Sequence, residues 1–182
     1  VRQLGERGEN VVVLDNLSTG FPEAVLYGEL IEGDTGDMEL VSRILKEHNI
    51  DTVMHFAAHT IVPESVENPL KYYRNNTANT RNLLECCQNH GIKHFVFSST
   101  AAVYGEPEDP NITEESPTQP INPYGMSKLM TEIMLGDVAR AHPLNFCALR
   151  YFNVAGADPQ ARTGQSTAGA THLIKVAVEA AL

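Results

Sequence analysis

The sequence predicts an α/β fold built on a doubly wound parallel sheet. Two observations carry that prediction. Short apolar runs alternate with stretches of helical period. Each run is near-continuously apolar, as in parallel strands covered on both faces, rather than alternating. The strands are residues 11–14, 52–58, 95–98 and 146–151, too short for helices and rich in β-branched and aromatic side chains. Residues 2–8 read as the end of a helix feeding the first strand. In residues 37–48, Leu40, Val41, Ile44 and Leu45 form one helical face, with Asp37 as N-cap. Residues 69–90 carry a stripe of Leu70, Tyr73, Thr77, Thr80, Leu84 and Cys87, closed by Gly91. Residues 126–141 repeat the pattern with Met126, Leu129, Ile133 and Val138, and residues 171–182 begin one more helix.

Composition narrows the function. Thirteen Lys and Arg against 23 Asp and Glu give a formal charge of −10, so the average field repels phosphate. Nucleic acid and anionic membranes are therefore poor partners. No apolar run reaches membrane-spanning length, and no secretory signal pattern opens the chain. Three cysteines, two of them adjacent at Cys86 and Cys87, give no disulfide framework, and a reducing, cytoplasmic setting is expected. The longest loop, residues 105–120, holds five acids and no basic residue, and reads as a solvated surface loop.

Several residues carry chemistry. Asp15 ends its strand, where an acid can accept hydrogen bonds from an adenosine ribose; it can equally open the turn that follows. Asp34 follows another strand end and suits the adenine side or a helix cap. His55 and His59 are four apart, but in a strand that separates them by roughly 13 Å, so no metal is expected. Small residues at Ala57 and Ala58 allow a cofactor to approach the backbone. The strongest constellation is Ser98-Ser99-Thr100 at a strand end, followed by Tyr124 and Lys128 on one helix face. A phenol of pKa near 10 is only about 0.1% ionised at pH 7, and lowering that value to about 7 is worth about 4 kcal/mol. One ammonium about 4 Å away at an effective dielectric near 20 supplies about that much. Lys128 is thus expected to make Tyr124 a base near neutrality. The run 149–156, with Tyr151, Phe152 and Asn153, can set an amide against a ligand after a core strand.

Together these pieces resemble the extended short-chain dehydrogenase/reductase superfamily, and within it the UDP-glucose 4-epimerase family. The resemblance rests on Asp15-Asn16-Leu17, Gly33-Asp34, His55-Phe56-Ala57-Ala58, Pro63-Glu64-Ser65, the stretch 68–76, the stretch 97–105 with Ser98-Ser99-Thr100, Pro123-Tyr124-Gly125-Met126-Ser127-Lys128 and the stretch 150–156. It implies a Rossmann-like NAD-binding domain over residues 1–156 and the start of a substrate-binding region over 157–182. It implies that UDP-glucose and UDP-galactose are interconverted by transient oxidation at sugar C4, rotation of the keto sugar and re-reduction. Tyr124 is then the catalytic base and acid, Lys128 binds the nicotinamide ribose, and Thr100 binds the sugar hydroxyl. Asp15 and Asn16 would hold the adenosine ribose, with Asp34 and Thr35 near adenine. Phe56, Ala57, Ala58, Thr60, Asn75, Ser98 and Tyr151 would line the NAD site. Thr60 stands where the family often has lysine. Phe152, Asn153, His172 and Leu173 would contact the UDP-sugar. The family pairs subunits through two helices each, here 69–90 and 126–141, so a homodimer is implied.

A nucleotide-sugar dehydratase needs an acid and a base beside the catalytic threonine. Ala101 and Ala102 stand there and transfer no protons. Epimerases of UDP-N-acetylhexosamines or uronic acids, and a non-catalytic NAD-binding relative, remain as alternatives. The first strand and the glycine-rich turn of the fold have no counterpart in the sequence and are expected just upstream of Val1. This stretch is therefore expected to be the middle of a longer enzyme, binding NAD weakly and turning over little by itself.

Overall fold

The computed structural model describes residues 1–166, 169 and 173–182. Two compact units divide the chain, Val1–Asp34 with Asn153–Leu182, and Thr35–Phe152. In the first unit, α1 (Arg2–Glu6) leads into β1 (Val12–Asp15), which pairs in parallel with β2 (Glu29–Glu32). Gly28, at φ +82°, lies so close to the Val11 carbonyl that a Cβ would sit 2.1 Å from its oxygen; only glycine permits that approach. A salt-bridge cluster of Arg2, Glu6, Asp158 and Arg162 ties the two stretches of this unit together. Helix α7 (Leu173–Ala181) closes the chain.

The second unit is built on a three-stranded parallel sheet in the order β3 (Thr52–His55), β4 (His94–Ser98) and β5 (Asn145–Leu149). Parallel strands need crossovers, and helices provide them. Helix α2 (Met38–Glu47) starts at Asp37, whose carboxylate accepts from the Glu39 and Leu40 amides at 3.1 and 3.0 Å. Its Val41, Ile44 and Leu45 are buried, the face its periodicity predicts. Between β3 and β4 run α3 (Val62–Glu67), α4 (Pro69–Tyr72), a π-helical stretch Tyr73–Ala78 and α5 (Asn79–Asn89). The expected single helix over 69–90 therefore carries a π-turn in its middle, and α3 has no counterpart in the predicted pattern. Helix α6 (Pro123–Ala141) crosses from β4 to β5, with Asn122 capping the Gly125 amide at 2.8 Å.

The core holds Tyr72, Leu83, Leu84, Cys86, Cys87, Phe95, Phe97, Val103 and Leu135. His55 stacks on Phe97 and bonds Thr80 of α5, so this sheet face meets the helices. On β3 and β5, Met54, Phe146 and Leu149 remain exposed, so the apolar runs are not matched by burial on both faces. β3 and β5 also end at His55 and Leu149, earlier than their apolar runs. Among the described residues, no helix is long and apolar enough to cross a membrane.

Candidate active site

The site forms where β4 ends. Three consecutive residues there meet side chains of α6. The Ser98 carbonyl accepts from Lys128 Nζ at 2.8 Å, the Ser99 hydroxyl donates to Glu132, and Thr100 hydrogen-bonds Tyr124. Tyr124, Lys128 and Glu132 stand at i, i+4 and i+8, one face of the helix. Thr100 Oγ1 also accepts from the Ala102 amide at 3.1 Å, starting a 3-10 turn over Ala101–Tyr104. Gly125 is buried against that turn; a Cβ there would lie 2.7 Å from the Ala102 carbonyl oxygen, which fixes how closely α6 approaches the strand end.

From β5, Tyr151 OH pairs with Ser98 Oγ at 2.5 Å, and the Tyr151 carbonyl accepts from the Ala101 amide at 3.0 Å. Its neighbour Arg150 forks onto Glu132 and donates to Tyr104 OH at 3.0 Å and to the Glu114 carbonyl at 3.2 Å. The acidic loop 105–120 is thus tied at Glu114 to the floor of the site. Glu132, Arg150 and Tyr104 carry no role in the sequence reading. The eight-residue spacing from Tyr124 to Glu132 was the available signal, but helical spacing gives the face and not the partner.

The electrostatics differ from the expectation in one respect. Burial raises the Tyr124 pKa, the Thr100 hydrogen bond opposes that, and Tyr151 adds to the rise. The Lys128 ammonium is not among the groups that set it. Helical spacing puts Lys128 on the correct face, but its Nζ reaches forward to the Ser98 carbonyl and lies 4.9 Å from the Phe97 ring centre. Lys128 is 2% exposed, and burial lowers its pKa to about 8. His55 is held neutral, its pKa lowered to about 3 by burial and by the nearby Lys128 charge. The Thr80 hydroxyl donates its one proton to the Asn76 carbonyl at 2.7 Å, so His55 donates to Thr80 from Nε2.

The loop after β3 is held from the π-helical stretch. Asn76 takes the His59 amide at 2.9 Å and gives to the His59 carbonyl at 3.0 Å, a two-bond clasp, and reaches Ser127 Oγ at 3.1 Å. Tyr72 OH bonds both backbone groups of Ile61 and the Glu64 carboxylate. These anchors set the backbone that carries Phe56, Ala57, Ala58 and Thr60; Phe56 and Thr60 are exposed, and Asn75 donates to Asn76 at 3.0 Å. Asn76, which the sequence reading gives no role, is therefore the link between that loop and α6. Thr35 and Phe152 also belong to this unit, with Phe152 77% exposed.

In the other unit, Asp15 Oδ1 accepts from the Leu17 amide at 2.7 Å, and Leu17 takes φ +54°. Asn16 Nδ2 donates to Asp34 Oδ2 at 3.2 Å, which brings three of the expected adenosine-side residues into one cluster. Asn153 and Leu173 are exposed, and His172 lies outside the described residues. Among the described residues no group of three or more His, Cys, Asp or Glu is placed to hold a metal ion.

The donor set suits a dinucleotide. Among the described residues Lys128 Nζ has one hydrogen-bond acceptor, Ser98 O, so an ammonium with three donors keeps capacity for hydroxyl acceptors of a bound group. A family model described as the NAD dependent epimerase/dehydratase family matches residues 1–181. The UDP-glucose 4-epimerase of Azospirillum brasilense is 58% identical over 180 residues, covering 98% of this chain and 52% of that protein. The crystal structure of UDP-glucose 4-epimerase from Brucella ovis in complex with NAD superposes with a TM-score of 0.95 at 44% identity, covering 99% of this chain and 55% of that one. That of the Bifidobacterium longum enzyme in complex with NAD+ and UDP does so with a TM-score of 0.87 at 40% identity, covering 92% and 53%. The chain spans about half the length of the curated relatives it matches.

Proposed function

The chain belongs to the NAD dependent epimerase/dehydratase family, and on that premise we propose that it carries the catalytic centre of an enzyme interconverting UDP-glucose and UDP-galactose. The observation that supports this best is the hydrogen bond between Thr100 and Tyr124 at the end of β4, with Lys128 held one helical turn on by the Ser98 carbonyl. Thr100 holds the sugar 4-hydroxyl and Tyr124 takes its proton, then returns a proton after the keto sugar has turned over in the site. Bound NAD would take up hydride from sugar C4 and give it back to the other face, so that no net oxidation results. Lys128 hydrogen-bonds the nicotinamide ribose with the donors that Ser98 leaves open. Asp15 and Asn16 hold the adenosine ribose, with Asp34 and Thr35 beside adenine. Phe56, Ala57, Ala58, Thr60, Asn75, Ser98 and Tyr151 line the cofactor site, and Phe152, Asn153, His172 and Leu173 meet the UDP-sugar.

Residues 1–156 form the cofactor-binding part in this reading, and 157–182 begin the substrate-binding part. The protein works in the cytoplasm as a homodimer paired through α4 to α6, whose Leu70, Met130 and Ile133 are exposed apolar side chains. The test is conversion of UDP-galactose by the full-length protein that carries this chain. Tyr124→Phe and Thr100→Val should each reduce turnover by about 10²-fold or more. Full turnover by Tyr124→Phe would exclude the assignment.

A further inference from the structure

We propose that Glu132, locked by Arg150, is a positioning residue for the site: it fixes Ser99, and through Ser99 the two neighbours that engage Lys128 and Tyr124. The roles of those neighbours rest on the function proposed above; the geometry of Glu132 does not. Ser98, Ser99 and Thr100 are consecutive on the strand end, and their partners are Lys128, Glu132 and Tyr124. The middle rung is the only one without an assigned task. The Ser99 amide donates to the Phe97 carbonyl at 3.0 Å, but that bond stays within the strand end and does not tie it to α6. The Ser99 hydroxyl bond to a fixed carboxylate supplies that tie between the two flanking ones.

The carboxylate is fixed because Arg150 grips it with Nε at 3.1 Å from both oxygens and with a terminal nitrogen at 2.6 Å. The side chains of Glu132 and Arg150 are 8% and 22% exposed, so neither can be left unpaired without cost. Arg150 is itself held from three directions, by Glu132, the Tyr104 hydroxyl and ring, and the Glu114 carbonyl. One charge pair therefore joins the ends of β4 and β5, the 3-10 turn, α6 and the acidic loop beneath the reacting groups. Such a shell is what holds a site to the tolerance that chemistry needs.

The test reads Lys128 directly. Its midpoint is followed by the pH dependence of the side-chain carbon resonance next to Nζ, in the parent and in Ser99→Ala and Glu132→Gln. Lys128 meets the Ser98 carbonyl, the Phe97 ring and neutral His55, and shares its helix face with Tyr124, whose pKa burial raises, and with Glu132, which is paired with Arg150. Freed from its rung, the strand end admits water to the ammonium, and in Ser99→Ala, which changes no charge, the midpoint should rise from about 8 by about one pH unit. In Glu132→Gln the loss of a carboxylate one helical turn away pulls the other way, so a smaller rise is expected there. Ser99→Ala leaves the Glu132–Arg150 pair intact and decides the matter if Glu132→Gln does not fold. A folded Ser99→Ala protein with the parent's midpoint would overturn the proposal. Neither cofactor nor sugar is present in this experiment, so its failure is separate from failure of the epimerase assignment, which only the turnover assay reads.

Discussion

Replacing Lys128 by methionine should stabilise this chain at pH 7 and destabilise it above pH 11. The ammonium is buried, and its pKa falls from 10.5 to about 8 for that reason. The difference corresponds to about 3 kcal/mol carried by the folded state whenever the lysine is charged. Methionine fills a similar volume and removes that cost. It also removes the bond to the Ser98 carbonyl and the contact over Phe97, together worth about 1–2 kcal/mol. The variant should therefore be more stable by about 1–2 kcal/mol at pH 7. The pH dependence sharpens the test. Between pH 8 and 10.5 the unfolded chain still binds the lysine proton and the folded chain does not, so the parent gains stability as pH rises through that window. The variant gains none from this position. Urea unfolding of both proteins at pH 7, 9 and 11 should show the two stabilities converge and then cross. Parallel curves from pH 8 to 10.5 would refute the idea that burial alone sets the charge of Lys128. NAD affinity should fall in the same variant, because the donor capacity that Ser98 leaves open goes with the ammonium. Stability and binding would then move in opposite directions at one residue.

Two further outcomes follow from the same packing. Burial holds the His55 pKa near 3, while the unfolded chain takes that proton near 6.5, so acid should favour unfolding by up to about 1.4 kcal/mol per pH unit between those values. His55→Gln should flatten that stretch of the stability curve, and equal slopes for parent and variant would count against a neutral buried imidazole. Gly125→Ala should cost about 1–3 kcal/mol in urea unfolding although alanine favours helices, because the added methyl meets the Ala102 carbonyl; a stabilised variant would mean that α6 does not pack as described.

Much of the fold was legible because parallel strands leave a strong local signal. The runs at 95–98 and 146–151 are apolar enough to fix strand positions, and Asp37, Pro123 and Gly91 mark helix boundaries through their backbone preferences. Strand ends were less legible: the Ala57-Ala58 segment is apolar but is a loop held by Asn76 and Tyr72 from distant sequence. Helix α3 was missed because Pro63 and two glutamates in six residues give no periodic face. In the candidate site, Tyr124 and Lys128 were legible because their spacing implies a shared face, and Thr100 because it follows an apolar strand run. Glu132 and Arg150 were not, since an ion pair between a helix and a strand 18 residues away has no local pattern. The direction of the Lys128 ammonium was also beyond spacing, being decided by the Ser98 carbonyl.

The π-turn over Tyr73–Ala78 makes chain length, as well as residue type, part of what this helix encodes. Such a turn holds one residue more than α-helical winding would, and each residue turns a helix by about 100°. Tyr72 before it faces the Ile61 backbone, and Thr80 and Leu84 after it face the core. Both sets of contacts are made with the extra residue present. Substituting exposed Arg74 or Ala78 leaves that winding untouched. Losing any one residue of the stretch would give a more regular helix and yet swing Asn76 off His59 or Thr80 off His55. The irregular helix is thus the one in register, and a count of six residues, more than their identity, keeps the loop and the sheet addressed to the same site.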